Sequence, residues 1–208
     1  MNRKLGFISS IILCGAAAVF LVCLIVALFQ TVAFTENLSY LVCMVLAWSW
    51  VAAACVYSCY ADREKQAAAK IGIAIGVMYA TLISVVYYTQ LTVVLYESVD
   101  KPIVDAFRFA SAGSWLFAID LLGYGLLSLS TFFVGLTIDA DNKKDRALKR
   151  LLLIHGAFCV CMIFPILPLP PMNEGLGGVI ALIAWCAFFL PICILSILHF
   201  KDLDKNRE

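Results

Sequence analysis

The sequence predicts an all-α fold, a six-transmembrane-helix bundle with both termini cytoplasmic, and three observations lead there. Of 208 residues, 63% are hydrophobic and 14% charged, whereas an ordinary soluble domain is about 45–50% apolar and about 25% charged. Six apolar runs are each long enough to cross a bilayer, for which about 20 helical residues suffice. Lysine and arginine cluster in alternate connections between those runs, although the net charge is only +1. A chain this poor in polar residues cannot cover itself with a surface that water tolerates. Disorder, a soluble enzyme fold and a nucleic-acid module are thereby excluded.

The runs lie at about 5–30, 39–60, 71–97, 112–138, 151–170 and 177–199 and make one membrane domain, residues 1–208. The first is too long for a secretory signal and contains no small-residue cleavage site, so it is read as a span. Arg3 and Lys4 precede it. Arg63, Lys65 and Lys70 lie between the second and third runs; Lys143, Lys144, Arg146, Lys149 and Arg150 lie between the fourth and fifth; Lys201, Lys205 and Arg207 follow the sixth. These are thirteen of the fifteen cations, and the positive-inside rule puts them all in the cytoplasm. The opposite connections hold only Lys101 and Arg108, beside Glu36, Glu97, Asp100, Asp105 and Glu174. A multi-pass protein of the cell (cytoplasmic) membrane is expected.

The third connection, on the outer side, is the long one. Asp100-Lys101-Pro102 reads as a helix start, with Asp as cap and Pro in the first turn. Ile103, Val104 and Phe107 then fall on one side, against Lys101, Asp105 and Arg108 on the other. That pattern fits a short helix in the outer interface, with an ordered loop as the alternative. The run from Asp139 to Arg150 reads as a solvated cytoplasmic connection. All nine cysteines lie in apolar runs, as small hydrophobes that pack between helices do, and Cys159-Val-Cys161 lacks the two-residue spacer of a redox or zinc pair.

Polar residues inside a membrane are expensive, so their placement is informative. Asp120 is the one acidic residue inside a predicted span. At 3.6 residues per turn, Asp120, Gly123, Tyr124, Ser128, Thr131 and Gly135 share a stripe that must face the bundle interior. In the third span, Gly72, Gly76, Ala80, Ser84, Tyr87 and Gln90 form a matching stripe: small in the inner half, for close helix approach, and polar in the outer half. Along the fifth span, Leu151 to Phe164 reads as plain helix. Pro165 and Pro168, followed by Pro170 and Pro171, then free the carbonyls of Cys161 and Phe164 at the level of Asp120, and Pro191 in the sixth span is a second kink candidate nearer the cytoplasmic side.

Together these predict an outer-facing polar site with Asp120, Gln90, Tyr87, Tyr124 and Ser128 as ligand-binding residues. Being rich in acceptors, it suits a cation, an amine or a polyhydroxyl molecule. The competing reading makes Asp120 a register pin, protonated or hydrogen-bonded to Tyr87 or Gln90. His155 and His199 reach the cytoplasmic half of two spans; two imidazoles alone are weak evidence for a metal or haem, and a buried partner for His155 with an interfacial His199 is expected instead. No phosphate loop, zinc helix motif or nucleophile elbow is present, and no catalytic residue, metal or cofactor is assigned.

The segments Tyr87-Tyr88-Thr89-Gln90-Leu91-Thr92-Val93-Val94 and Ile119-Asp120-Leu121-Leu122-Gly123-Tyr124-Gly125-Leu126-Leu127-Ser128-Leu129-Ser130 resemble a group of uncharacterised bacterial multi-span membrane proteins with a domain of unknown function. In that group a Tyr-x-Gln-Leu stretch precedes an outer loop and then an acidic-Leu-Gly-Tyr helix. The resemblance implies a bacterial cytoplasmic-membrane protein and brings no activity with it. Size and topology are also similar to the substrate-binding subunits of energy-coupling-factor transporters, although Gly15-Ala16-Ala17-Ala18 only loosely replaces their Ala-x-x-x-Ala docking pattern. Three functions stay open: binding or transport of a small molecule or cation, an accessory subunit docking a membrane protein partner, and an intramembrane enzyme. The third would need a second catalytic group beside Asp120, and only Tyr87, Tyr124 and Glu97 are available. Besides any such ligand or partner, the bilayer itself is the expected surrounding.

Overall fold

A computed structural model describes residues 1–29, 33–97, 99–109, 114–166 and 176–203. Among them the ordered elements are helices, and no strand occurs. The long helices are α1 (Asn2–Phe29), α2 (Ala33–Tyr60), α3 (Gln66–Thr89), α5 (Trp115–Thr137), α6 (Lys143–His155) and α7 (Leu176–Asp202), with the short α4 (Lys101–Phe107) between α3 and α5. A 3-10 turn at Arg63–Lys65 leads into α3, a wider π turn at Gln90–Val94 extends it, and a 3-10 helix at Gly156–Ile166 extends α6. With these extensions, six helices are long and apolar enough to cross a membrane.

The six spans close a ring. The helix α1 packs on α2 and α7, α2 on α3, α3 on α5, α5 on α6 with its extension, and α6 on α7. Trp50 and Phe189, both wholly buried, meet edge to face at 6.5 Å in the middle. The outward faces stay apolar. Leu5, Ile8, Ile11, Ile12, Val19, Val22 and Ile25 along α1 are all exposed. Contiguous apolar surface of that extent is incompatible with water and suited to lipid.

Small residues set the close approaches. A Cβ placed on Gly156 would lie 2.8 Å from the Cβ of Phe132, and one on Gly125 would lie 2.9 Å from the Cβ of Met162. These two glycines bring the extension of α6 flush against α5. On the other side of α5, Gly72 and Gly76 leave space for Ser130, whose hydroxyl donates to the Gly72 carbonyl at 2.7 Å and accepts from the Trp50 indole N–H at 2.9 Å. The predicted small-residue half of the third span therefore does bring another helix close. That helix is α5.

Three local expectations need correction. The cationic run is solvated over most of its length but is not only a connection: Lys143–Arg150 forms the first turns of α6, because the Asn142 side chain caps the helix at Asp145 N (2.9 Å) and Leu148 and Leu152 bury one face. The stretch from Leu151 to Phe164 is not plain α-helix, since the α-helix ends at His155 and a 3-10 helix runs to Ile166. Rising about 2.0 Å per residue instead of 1.5, the tighter winding covers more depth with fewer residues. It also changes which carbonyl Pro165 deprives of a donor, from Cys161 four residues back to Met162 three back. Pro168, Pro170 and Pro171 fall outside the described residues. Finally, α4 forms as a helix, but Asp100 makes no side-chain cap.

The cation-rich end of the ring carries scattered ion pairs. Lys65 bonds Asp62 and Asp139, Lys144 reaches Asp202 at 2.8 Å, and His199 Nδ1 meets Asp145 at 2.7 Å. The Lys65 ammonium holds the Asp139 carboxyl below its ordinary pKa. The lysine pairs are solvent-accessible and contribute little stability each, whereas the His199–Asp145 hydrogen bond is largely buried; the glycine and serine contacts deeper in the bundle carry more of the helix alignment. His155 and His199 do not share a site, because each has its own partners in the structure.

Candidate functional site

The predicted stripe on α5 is buried throughout: Asp120, Gly123, Tyr124, Ser128, Thr131 and Gly135 all face protein. Towards the α4 end the small residues of α3 give way to Ile83 and Tyr87, and there the polar groups gather. Asp120 is 5% exposed, and its Oδ1 has no hydrogen-bond partner among the described residues. The Tyr87 hydroxyl interacts with the same carboxyl. It lies 3.5 Å from the Tyr124 hydroxyl, which in turn lies 3.6 Å from Cys43 Sγ. Tyr79 and Trp185 flank the Tyr124 ring at 6.2 and 5.2 Å. Thus Asp120, Tyr87 and Tyr124 come together as one cluster drawn from α3 and α5, with Cys43 of α2 beside them.

The other two expected ligand residues are engaged differently. Ser128 lies one turn along α5 from Tyr124, and its hydroxyl donates to the Tyr124 carbonyl at 2.9 Å. Gln90, 3% exposed, uses its amide as a two-point clamp. Its Nε2 donates to the Phe107 carbonyl at 2.8 Å, and its Oε1 accepts from the Phe109 N–H at 3.0 Å. The clamp ties the end of α4 to α3 at the π turn, where the Leu95 N–H reaches back five residues to the Gln90 carbonyl. Such turns recur at functional sites. Just beyond it, Glu97 takes a left-handed backbone conformation at φ 45°, which ends the helix and turns the chain towards α4.

Above the cluster, at the α4 end, a cleft of about 400 Å³ opens between α2, the π turn and the segment after α4, with Glu36, Asn37, Tyr40, Gln90, Glu97 and Arg108 among its walls. The Tyr40 hydroxyl donates to Glu36 Oε1 at 2.7 Å. The Tyr40 ring stacks on Tyr87 at 5.3 Å, and Phe109 packs against both. A layer of three aromatic rings, Tyr87 among them, therefore lies between the open cleft and Asp120.

One buried network supplies the partner expected for His155, whose identity the sequence did not reveal. Trp185 Nε1–H donates to His155 Nε2 at 3.0 Å, and His155 Nδ1 lies 2.8 Å from Thr131 Oγ1, which donates to the Ser128 carbonyl at 2.7 Å. An indole can only donate, so Nε2 carries no proton; Nδ1–H then donates to Thr131. Every group is satisfied by a neutral imidazole that joins α7, α6 and α5. The available signal was a His and a Trp each alone in an apolar run and a Thr on the polar stripe of α5, which identifies polar residues in need of partners but not which partners they find.

Six long apolar helices with an apolar exterior are those of a multi-pass helical membrane protein. No family model matches the chain, and neither a curated protein nor a solved structure matches it.

Proposed function

We propose that this protein sits in the cytoplasmic membrane with both termini inside, and binds or helps transport a small molecule or cation that reaches Asp120 from the outer face. The observation that carries the reading is the buried Asp120 Oδ1, which has no hydrogen-bond partner among the described residues. A carboxyl at membrane depth is costly unless its oxygens are paired, and a pin between helices would be expected to have both matched. A bound cation or ammonium supplies the missing partner, with the Tyr87 and Tyr124 hydroxyls and the aromatic rings around it. The cleft lies at the same α4 end, and the Tyr40, Tyr87 and Phe109 rings between it and Asp120 would have to part to admit a ligand.

The test is the thermal stability of purified protein in nanodiscs with Na⁺, K⁺, ammonium or methylammonium. A ligand present at 100 times its Kd stabilises the folded state by about 2.7 kcal/mol. Wild type is expected to respond to at least one of these cations. Asp120→Asn keeps the shape and should lose that response while melting within a few degrees of wild type. An Asn variant that responds like wild type, or a wild type indifferent to all four cations, overturns the reading. If Asp120 is only a pin, Asn will be tolerated and Asp120→Leu alone will lower the melting temperature.

The orientation has its own check, which rests on the thirteen-to-two division of cations between the two sides. Single cysteines at Asn142 and at Lys101, in a background without the native nine, are expected to label from opposite sides of sealed cells, Lys101→Cys from outside. Outside labelling of Asn142→Cys would reverse the assignment.

A further inference from the structure

The first turns of α6 sort their charges by direction. Lys143, Arg146 and Arg150 are three and four residues apart, so they share one face of the helix. It is the face opposite the buried Leu148 and Leu152. All three side chains are exposed, and among the described residues none of them forms an ion pair. The two lysines between them are engaged within the protein: Lys144 bonds Asp202 at 2.8 Å, and Lys149 donates to the Ile138 carbonyl at 3.0 Å. The acids of the segment turn the other way. Asp139, Asp141 and Asp145 line a cleft with Asp62 and His199, where Lys65 takes Asp139 and His199 takes Asp145. The outward face of α6 is left with three positive charges and no acidic residue of its own helix.

That face continues into an apolar one. Ile154 follows Arg150 by one turn and is exposed. Past His155 the 3-10 winding repeats every three residues, which stacks Ala157 under Val160, both exposed. Cations directly above an apolar exterior stand at the level of phospholipid headgroups. We infer that the outward face of α6 binds an anionic phospholipid, its phosphodiester held by Arg146 and Arg150 with Lys143 beside them and an acyl chain against Ile154, Ala157 and Val160. The guanidinium fork takes a phosphate through two parallel hydrogen bonds, and the lysine adds a point charge. A choline headgroup would bring its own cation against three others. An acidic protein segment would match the charges but not the apolar surface that follows them, which hydrocarbon covers. The inference requires that α6 enters a bilayer, and it is independent of the orientation and of the Asp120 reading.

The test is a titration of full-length protein in neutral detergent with dioleoylphosphatidylglycerol or dioleoylphosphatidylcholine, bound lipid being counted by native mass spectrometry. The two lipids share their chains and differ in net charge. Wild type is expected to bind the glycerol lipid at least tenfold more tightly. Lys143→Gln/Arg146→Gln/Arg150→Gln should weaken that binding by about a hundredfold and abolish the preference, since each cation near a headgroup is worth about fivefold. Each single substitution should cost about fivefold. The control is Lys4→Gln/Arg63→Gln/Lys70→Gln, which removes the same charge from three exposed positions on α1, on the turn before α3 and on α3. It should keep the preference. Glutamine has nearly the helix propensity of lysine and arginine, so both triple variants should melt within a few degrees of wild type before lipid is added.

Equal binding of the two lipids by wild type overturns the inference. So does an equal loss of preference in the two triple variants, which would assign the effect to the summed charge of the cation-rich end. Asp120→Asn should bind phosphatidylglycerol as wild type does, so this inference and the Asp120 reading can fail separately.

Discussion

Replacing Gly156 by leucine is expected to destabilise the bundle by about 3 kcal/mol, the upper end of what overpacking a core costs. A Cβ at this position would stand 2.8 Å from the Cβ and 3.0 Å from the Cδ2 of Phe132. The Cβ of Phe132 moves only with the α5 backbone, so rotamer adjustment does not relieve the contact, and α5 and the α6 extension must separate. Their separation would loosen the neighbouring contact at Gly125 as well, where a Cβ would meet Met162 at 2.9 Å. Gly15, with nothing within 4 Å of its hypothetical Cβ, is the control: Gly15→Ala should melt at or slightly above the wild-type temperature, because alanine is the better helix former. Melting of both variants in one detergent checks the prediction. Equal melting of Gly156→Leu and wild type would mean that the two helices are not in this contact.

The second large effect concerns His155. His155→Phe keeps a planar ring among Phe158, Phe188 and Phe189 but leaves the Trp185 N–H buried with no acceptor. An orphaned buried donor costs about 1–3 kcal/mol. His155→Ala removes the ring as well and should cost about 2–5 kcal/mol through the added cavity. The diagnostic is the double variant. His155→Phe with Trp185→Phe removes donor and acceptor together and should be more stable than the sum of the single losses predicts, with a coupling of about 0.5–3 kcal/mol in a double-mutant cycle. Strict additivity would show that the indole and imidazole do not bond.

What a chain can announce about itself depends on whether the physics is local. Six apolar runs and the alternation of cationic connections read directly from the residues, because hydrocarbon thickness and surface charge act on each segment separately. The stripes on α3 and α5 were legible for the same reason: helical periodicity alone puts Gly72, Gly76 and Ala80 on one face, and Asp120, Tyr124 and Thr131 on another. Periodicity likewise turned the stripes inward, since lipid offers no hydrogen bonds.

The partners of those faces are a matter of packing between segments distant in sequence, and only the tertiary structure decided them. Gln90 looked like a ligand amide because a buried amide needs partners; that the partners are the backbone at Phe107 and Phe109 depends on where α4 folds back. His155 finds Trp185, 30 residues further along, for a comparable reason. The α6 extension winds as a 3-10 helix against α5, where Gly125 and Gly156 permit an approach that neither segment's own propensity signals. The sequence by itself determined which residues are polar, where they lie along each helix and that they must turn inward. Tertiary contact determined which of them satisfy one another and left Asp120 Oδ1 without a hydrogen-bond partner among the described residues, because hydrogen bonds reach only about 3 Å and form where the fold brings the groups together.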